Sequence, residues 1–225
     1  MINKYFIAVF TNEVKDYCDE TFFNSLYALS KGEQVVVIDN SGDSAYYEKL
    51  KESFIINGYD NFNIYHLDVP EQPKESRFQR NVCDSVNLLR DIFLLQTTLP
   101  YFLIVESDVY SEIDLLSKFD TSIDYLETNQ PDWGIIGGLY YRGFHNYNFD
   151  TSLITVERVS HCLSGCTVYK RELINKFTFR YDPENLGPFP DAWISYDSNR
   201  EYTLWNEHRI KCDHMHNSLN GLRVR

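Results

Sequence analysis

The run Val35-Val36-Val37-Ile38 constrains this chain more than any other stretch. Four consecutive β-branched residues suit a strand covered on both faces, as in the middle of a parallel sheet. Residues 5–10 and 101–105 are further short apolar strands, and Phe62, Ile64 and Tyr65 mark a weaker one. Between them, apolar residues return at helical spacing: Phe22, Leu26 and Leu29; Tyr47, Leu50 and Phe54; and Val82, Val86, Leu89 and Phe93. Gly32 and Gly58 stand where helix-ending glycines are expected, and Asp39-Asn40-Ser41-Gly42 has the chemistry of a turn. The alternation predicts an α/β fold, a doubly wound sheet of mostly parallel strands with helices on both faces. After residue 110 the pattern changes. Gly134, Gly137 and Gly138 are followed by an aromatic loop, a possible strand over 163–169, a Pro-rich stretch over 182–190 and a short strand over 209–214.

In such sheets ligands bind beyond the carboxyl ends of the strands. Four segments are therefore expected to meet at one crevice: Thr11-Asn12, Asp39-Asn40, the loop 68–80 and Glu106-Ser107-Asp108. Charge narrows what that crevice takes. With 21 Lys and Arg against 33 Asp and Glu, the net charge is −12, which argues against broad contact with a nucleic-acid backbone. A phosphorylated ligand would need a few placed basic residues or a divalent cation. Arg77 and Arg80-Asn81, just before the clearest helix, suit a diphosphate, although surface arginines commonly answer nearby acids instead.

Glu106-Ser107-Asp108 ends a hydrophobic strand with two acids one residue apart, which can hold a divalent cation or merely solvate the strand end. In Cys212-Asp213-His214-Met215-His216, two imidazoles share one side of an extended segment and either could ligate metal, or both could lie on the surface. Cys162, Cys166 and Cys212 with a histidine could form a zinc site, but their apolar setting favours buried free thiols. Asp191 follows Pro188-Phe189-Pro190, so it reads either as the N-cap of the next helix or as a general base at the lip of the cleft. There is no P-loop, GxGxxG, GxSxG or HExxH, which argues against ATPase, dinucleotide-dehydrogenase, serine-hydrolase and zincin chemistry. Five cysteines, an odd number with no CxxC, suit a reducing compartment, and the apolar run 5–10 is too short for a signal peptide or membrane span. A soluble, cytoplasmic protein is expected.

Taken together, these segments resemble a GT-A-fold glycosyltransferase, and are most similar to the family 2 nucleotide-sugar transferases. The resemblance implies that Thr11-Asn12 turns over the nucleotide and that Asp39 contacts its base or ribose. It matches Arg80-Asn81 to the Arg-Asn pair before the metal strand, and Glu106-Ser107-Asp108 to the D-x-D signature, with Glu in place of the first Asp. Ser164-Gly165 resembles the small-residue turn beneath the donor sugar. Asp191 stands where that family carries its base, although the usual Glu-Asp pair reads Pro190-Asp191 here, and His214 or His216 resembles an extra metal ligand. The implied organisation is one GT-A-like domain over 1–225, with a nucleotide-binding half (1–110) and an acceptor and metal-completing half (111–225). The implied activity is transfer from a nucleotide diphosphate-sugar, a UDP-sugar foremost, to an acceptor hydroxyl with inversion. Mn2+ (or Mg2+) would be the cofactor, imidazole ligation tilting the choice toward Mn2+. Acceptor choice is expected in 140–148 and 182–190. A metal-dependent nucleotidyltransferase or phosphoesterase, or a non-catalytic nucleotide-sugar-binding module, are the alternatives.

Overall fold

The computed structural model describes residues 3–30, 32–68, 74–140, 156–163, 165–185, 189–218 and 221–224, of which 74–78, 140, 216–218 and 221–224 are described by their backbone alone. The first strand, β1 (Tyr5–Thr11), is buried along its whole length. Tyr5, Ile7 and Val9 enter one apolar cluster, while Phe6, Ala8 and Phe10 enter another. That division is what the two-residue period of a strand imposes when both faces are covered. In β2 (Gln34–Asp39), Val35 and Val37 face the first cluster, and Val36 and Ile38 the second. β2 runs parallel to β1 and to β3 (Phe62–His66), and β4 (Tyr101–Val105) runs parallel to β1 on its other side. β3 lies at the edge of the sheet and is only half-buried or exposed along its length, which accounts for its weak apolar signature.

Between the strands lie α1 (Asp19–Ser30), α2 (Ala45–Asn57) and α3 (Lys74–Gln96). Gly58 closes α2 in the left-handed conformation with φ 69°, its N–H reaching back to the last turn, as a helix-ending glycine should. Past β4 come β5 (Val109–Tyr110), α4 (Leu115–Asn129), β6 (Trp133–Tyr140), β7 (Val156–Val159), β8 (Cys166–Lys170), α5 (Arg171–Lys176), α6 (Pro190–Ser198), β9 (Thr203–Ser218) and β10 (Gly221–Val224). The apolar residues of α1, α2 and α4 pack in the first cluster, and those of α3, α5 and α6 in the second. Helices thus cover both faces. Among the described residues the sheet follows the path β10-β9-β6-β8-β4-β1-β2-β3, with β5 and β7 paired to β9 off that path. The pairings from β4 through β1 and β2 to β3 are parallel, as is β6 with β9, while β8 runs antiparallel to both of its neighbours.

The second half departs from the sequence-based expectation in several places, β6, β7 and α5 among them. Helix α4 is not anticipated; the strand expected over 209–214 is the middle of a 16-residue strand; and α6 begins at Pro190, not Asp191. Phe189 is the N-cap and Pro190 occupies the first turn, where its missing N–H has no helical partner to lose. Asp191 is therefore a first-turn residue and not the cap. The glycines of β6 are contact positions: a Cβ on Gly134 would lie 2.6 Å from Leu173 Cδ1, and one on Gly138 would lie 2.6 Å from Ile210 Cγ2. No described helix is long and apolar enough to cross a membrane.

Candidate functional site

The ends of β1 and β2 open onto a cleft of about 280 Å³, lined among others by Thr11, Asn12, Lys15, Asn40, Gly42 and Asn81. Asn40 N–H donates to the Thr11 carbonyl at 2.9 Å, which holds the two strand ends together. Asn12 Oδ1 accepts from Val14 N–H at 3.1 Å and so caps a short 3-10 helix, Glu13–Cys18, that folds back over the cleft. Thr11 Oγ1 lies 3.4 Å from the Tyr46 hydroxyl, which donates to Asp19 Oδ1 at 2.6 Å. Burial pushes the Asp19 carboxyl up to about 6, against the pull of Tyr46 and Lys49.

Two residues assigned to the ligand face elsewhere. Asp39 is fully buried: Oδ1 accepts from Ser41 N–H at 3.0 Å, and Oδ2 meets His66 Nδ1 at 2.8 Å. Asp39 anchors the loop after β2, and Asn40 and Gly42 form the wall in its place. Arg80 pairs with Asp84 at 3.5 Å, one helical turn along, while Asn81 lines the cleft. The Arg77 side chain lies outside the described residues, as do the His216 side chain, Ser164, 141–150 and 186–188.

The Glu106-Ser107-Asp108 turn brings chain ends together. Met215 N–H donates to the Asp108 carbonyl at 2.7 Å, and β5 pairs Val109 with His214. His214 Nδ1 consequently lies 3.6 Å from Asp108 Oδ2, while Lys15 Nζ lies 2.9 Å from Oδ1. Burial works against ionisation of Asp108, but the imidazole and the ammonium outweigh it and hold the carboxyl down at about 2. Glu106 and Asp108 act on different neighbours. The Glu106 charge is felt by buried Tyr169 and Cys212, whereas that of Asp108 is felt by Tyr17 and Cys18. The Ser107 hydroxyl is buried without a hydrogen-bond partner among the described residues.

Asp191 is buried, and Oδ1 accepts from Ala192 N–H at 2.8 Å. Its charge, like that of Glu106, reaches the Tyr169 phenol and contributes with desolvation to raising that group's pKa; it also reaches the Cys162 thiol. His161 and Leu163, on either side of Cys162, line a second cavity of about 380 Å³ with Gly138, Ser160 and Asn206. The cysteines do not assemble as zinc ligands. Cys166 and Cys212 are buried, and the Cys166 thiol helps to raise the pKa of Cys212, while Cys162 Sγ donates to the Trp205 carbonyl at 3.3 Å. Among the described residues, no group of three or more His, Cys, Asp or Glu side chains could hold a metal ion.

Lys15 and Tyr46 are the site residues that sequence reasoning missed. For Lys15 a signal existed: Asn12 is a cap residue, and Lys15 N–H bonds back to the Asn12 carbonyl at 2.9 Å, one turn later.

No family model matches the chain, and no curated protein matches it in sequence. Solved structures match in fold. S. aureus TarS 1-349 superposes with a TM-score of 0.60 at 18% identity, over 93% of this chain and 60% of that one. The same fragment in complex with UDP gives 0.61 at 17% identity, with 93% and 60% covered. Mannosyltransferase PcManGT from Pyrobaculum calidifontis, in complex with GDP-Man and Mn2+, gives 0.64 at 15% identity, over 94% of this chain and 56% of that one. The chain therefore shares the fold of GT-A-type glycosyltransferases and spans 56–60% of the length of these chains.

Proposed function

We propose that this chain is a glycosyltransferase that moves a sugar from a nucleotide diphosphate-sugar, a UDP-sugar foremost, to an acceptor hydroxyl. One observation carries the reading: the cleft beyond the ends of β1 and β2, whose lining residue Lys15 pairs with Asp108 at 2.9 Å. Its volume of about 280 Å³ is near the lower end of small-molecule sites, which start at roughly 300 Å³. The shared fold supports the reading, because one neighbour is bound to UDP and another to GDP-Man and Mn2+. Thr11, Asn12, Asn40 and Asn81 are assigned to the nucleotide, in the half spanning 1–110. The half spanning 111–225 is assigned to the acceptor, with Asp191 as its base.

In the transfer step Asp191 takes the proton from the acceptor hydroxyl, a role that typically contributes about 10²–10⁴ in rate. The acceptor oxygen then bonds to the anomeric carbon as the bond to the diphosphate oxygen breaks, through an oxocarbenium-like state. Attack opposite the leaving group inverts the anomeric centre, and a nucleoside diphosphate departs.

Mn2+ (or Mg2+) would supply charge neutralisation at the diphosphate. The described side chains offer it Asp108 and His214, and Asp108 Oδ1 already carries the Lys15 ammonium. This set does not fit a resident metal centre, and no step is routed through one.

The decisive experiment incubates the chain with a panel of nucleotide-sugars and separates the products. Release of a nucleoside diphosphate supports the reading, whereas release of pyrophosphate or inorganic phosphate points to a nucleotidyltransferase or phosphoesterase. Asp191→Asn should lose turnover while retaining donor binding. Unchanged turnover would remove Asp191 as the base.

A further inference from the structure

We infer that Lys15 is the diphosphate-binding cation of the donor site, pairing with Asp108 when no donor is bound and reaching the phosphate oxygens when one enters. The inference rests on the nucleotide-sugar reading and names the residue that would make it work in so acidic a chain.

Charge is the first argument. Lys15 is the one cationic residue among the described residues that line the cleft, in a chain of net charge −12. The arginine assigned to that task from the sequence, Arg80, is paired with Asp84 on the helix.

Placement is the second. The Lys15 and Asp108 side chains are only 17% and 16% exposed, with 2.9 Å between Nζ and Oδ1. The short helix that carries Lys15 is fastened to both segments it faces. Cys18 Sγ donates to the Ser107 carbonyl at 3.2 Å, and the Tyr17 hydroxyl donates to the Met215 carbonyl at 3.0 Å. The backbone beneath Lys15 is thus tied to the residues preceding Asp108 and following His214, so the ammonium is held at the strand ends by construction.

Chemistry is the third. An ammonium has three donors, so it can keep one bond to Asp108 while giving others to phosphate, and as a compact point charge it is a common phosphate ligand. Among the described side chains a metal would find Asp108 and His214, the first already paired with Lys15; the lysine is covalently in place.

The test measures binding of UDP and GDP to the full chain by calorimetry, first in EDTA and then with Mn2+. Wild type should bind a nucleoside diphosphate in EDTA. Lys15→Met should weaken that binding by about 10- to 100-fold, the range for a lost hydrogen bond to a charged group. Lys15→Arg should stay within a few-fold of wild type. Lys15→Met leaves Asp108 without its cation, so the double variant K15M/D108N, which removes both charges, serves as the folded control and should bind as weakly as K15M. Two results would overturn the inference: K15M binding as tightly as wild type in EDTA, or wild type binding only with Mn2+. If wild type binds neither nucleotide with or without Mn2+, the nucleotide-sugar reading itself falls.

Discussion

In the first half of the chain several polar residues near the strand ends line a cleft, whereas in the second half a buried carboxylate is turned inward. Thr11, Asn12, Asn40 and Lys15 all line the cleft beyond β1 and β2. By contrast Glu207, on β9, has no exposed surface; it accepts from Arg209 N–H and Nε at 2.9 Å and from the Ser122 hydroxyl. These partners outweigh the burial penalty and hold its carboxyl below the usual carboxylate range. One half sets polar groups around a cleft, and the other uses them to join α4 to the long strand that delivers His214. A chemical site at the junction needs both, because Asp108 belongs to the first kind of surface and its imidazole neighbour arrives on the second.

The largest expected effect lies in the inward-facing half. Glu207→Ala leaves the Arg209 guanidinium partly buried without its carboxylate and should cost about 3–5 kcal/mol, read as a lower urea midpoint. Nucleotide affinity per folded molecule should be unchanged; a loss of affinity at full folding would break the division of labour between the halves. Gly134→Ala comes next. Its Cβ would meet Leu173 Cδ1 at 2.6 Å and Tyr202 Cβ at 2.7 Å, an overpacking expected to cost about 1–3 kcal/mol. A neutral result in thermal unfolding would show that α5 and the loop before β9 can retreat.

The smallest effect concerns Asp19, beneath the cleft wall. Its folded pKa of about 6 exceeds the ordinary value of 3.8, so between those values the native chain binds more protons than the unfolded one. The stability it contributes is fully present below about 4 and is lost as pH rises through about 6. Asp108 behaves in the opposite sense, its share being present above the ordinary 3.8 and lost as pH falls toward 2. Asp19→Asn should flatten the stability profile between pH 4 and 6 in chemical denaturation. A slope that survives in the variant would assign it to another group.

How much was legible follows the range of the interactions. The strands β1, β2 and β4 could be read because burial on both faces demands uninterrupted apolar residues, a purely local signature. Helix α3 could be read from Val82, Val86, Leu89 and Phe93 for the same reason. Helix α4 carries Leu115, Phe119, Ile123 and Leu126 at helical spacing, and that period was there to be used. Most of β9 was not legible, since residues such as Asn206, Glu207 and Arg209 take up a strand only through pairing with β6 and β7. Asp39 shows the limit sharply. Its turn chemistry was evident, but the direction of its carboxylate depends on His66, 27 residues away.

By itself the sequence determined the alternation of strands and helices, the edge of the sheet where the cleft lies, and the chemical identities present there. Those depend on periodicity and on turn-forming residues, which act over a few positions. Only the tertiary structure decided which charges meet: Lys15 with Asp108 across 93 positions, and Asp108 with His214 through the pairing of β5 and β9. An ion pair is a matter of distance in space, and distances between segments are set when the sheet closes around its two cores.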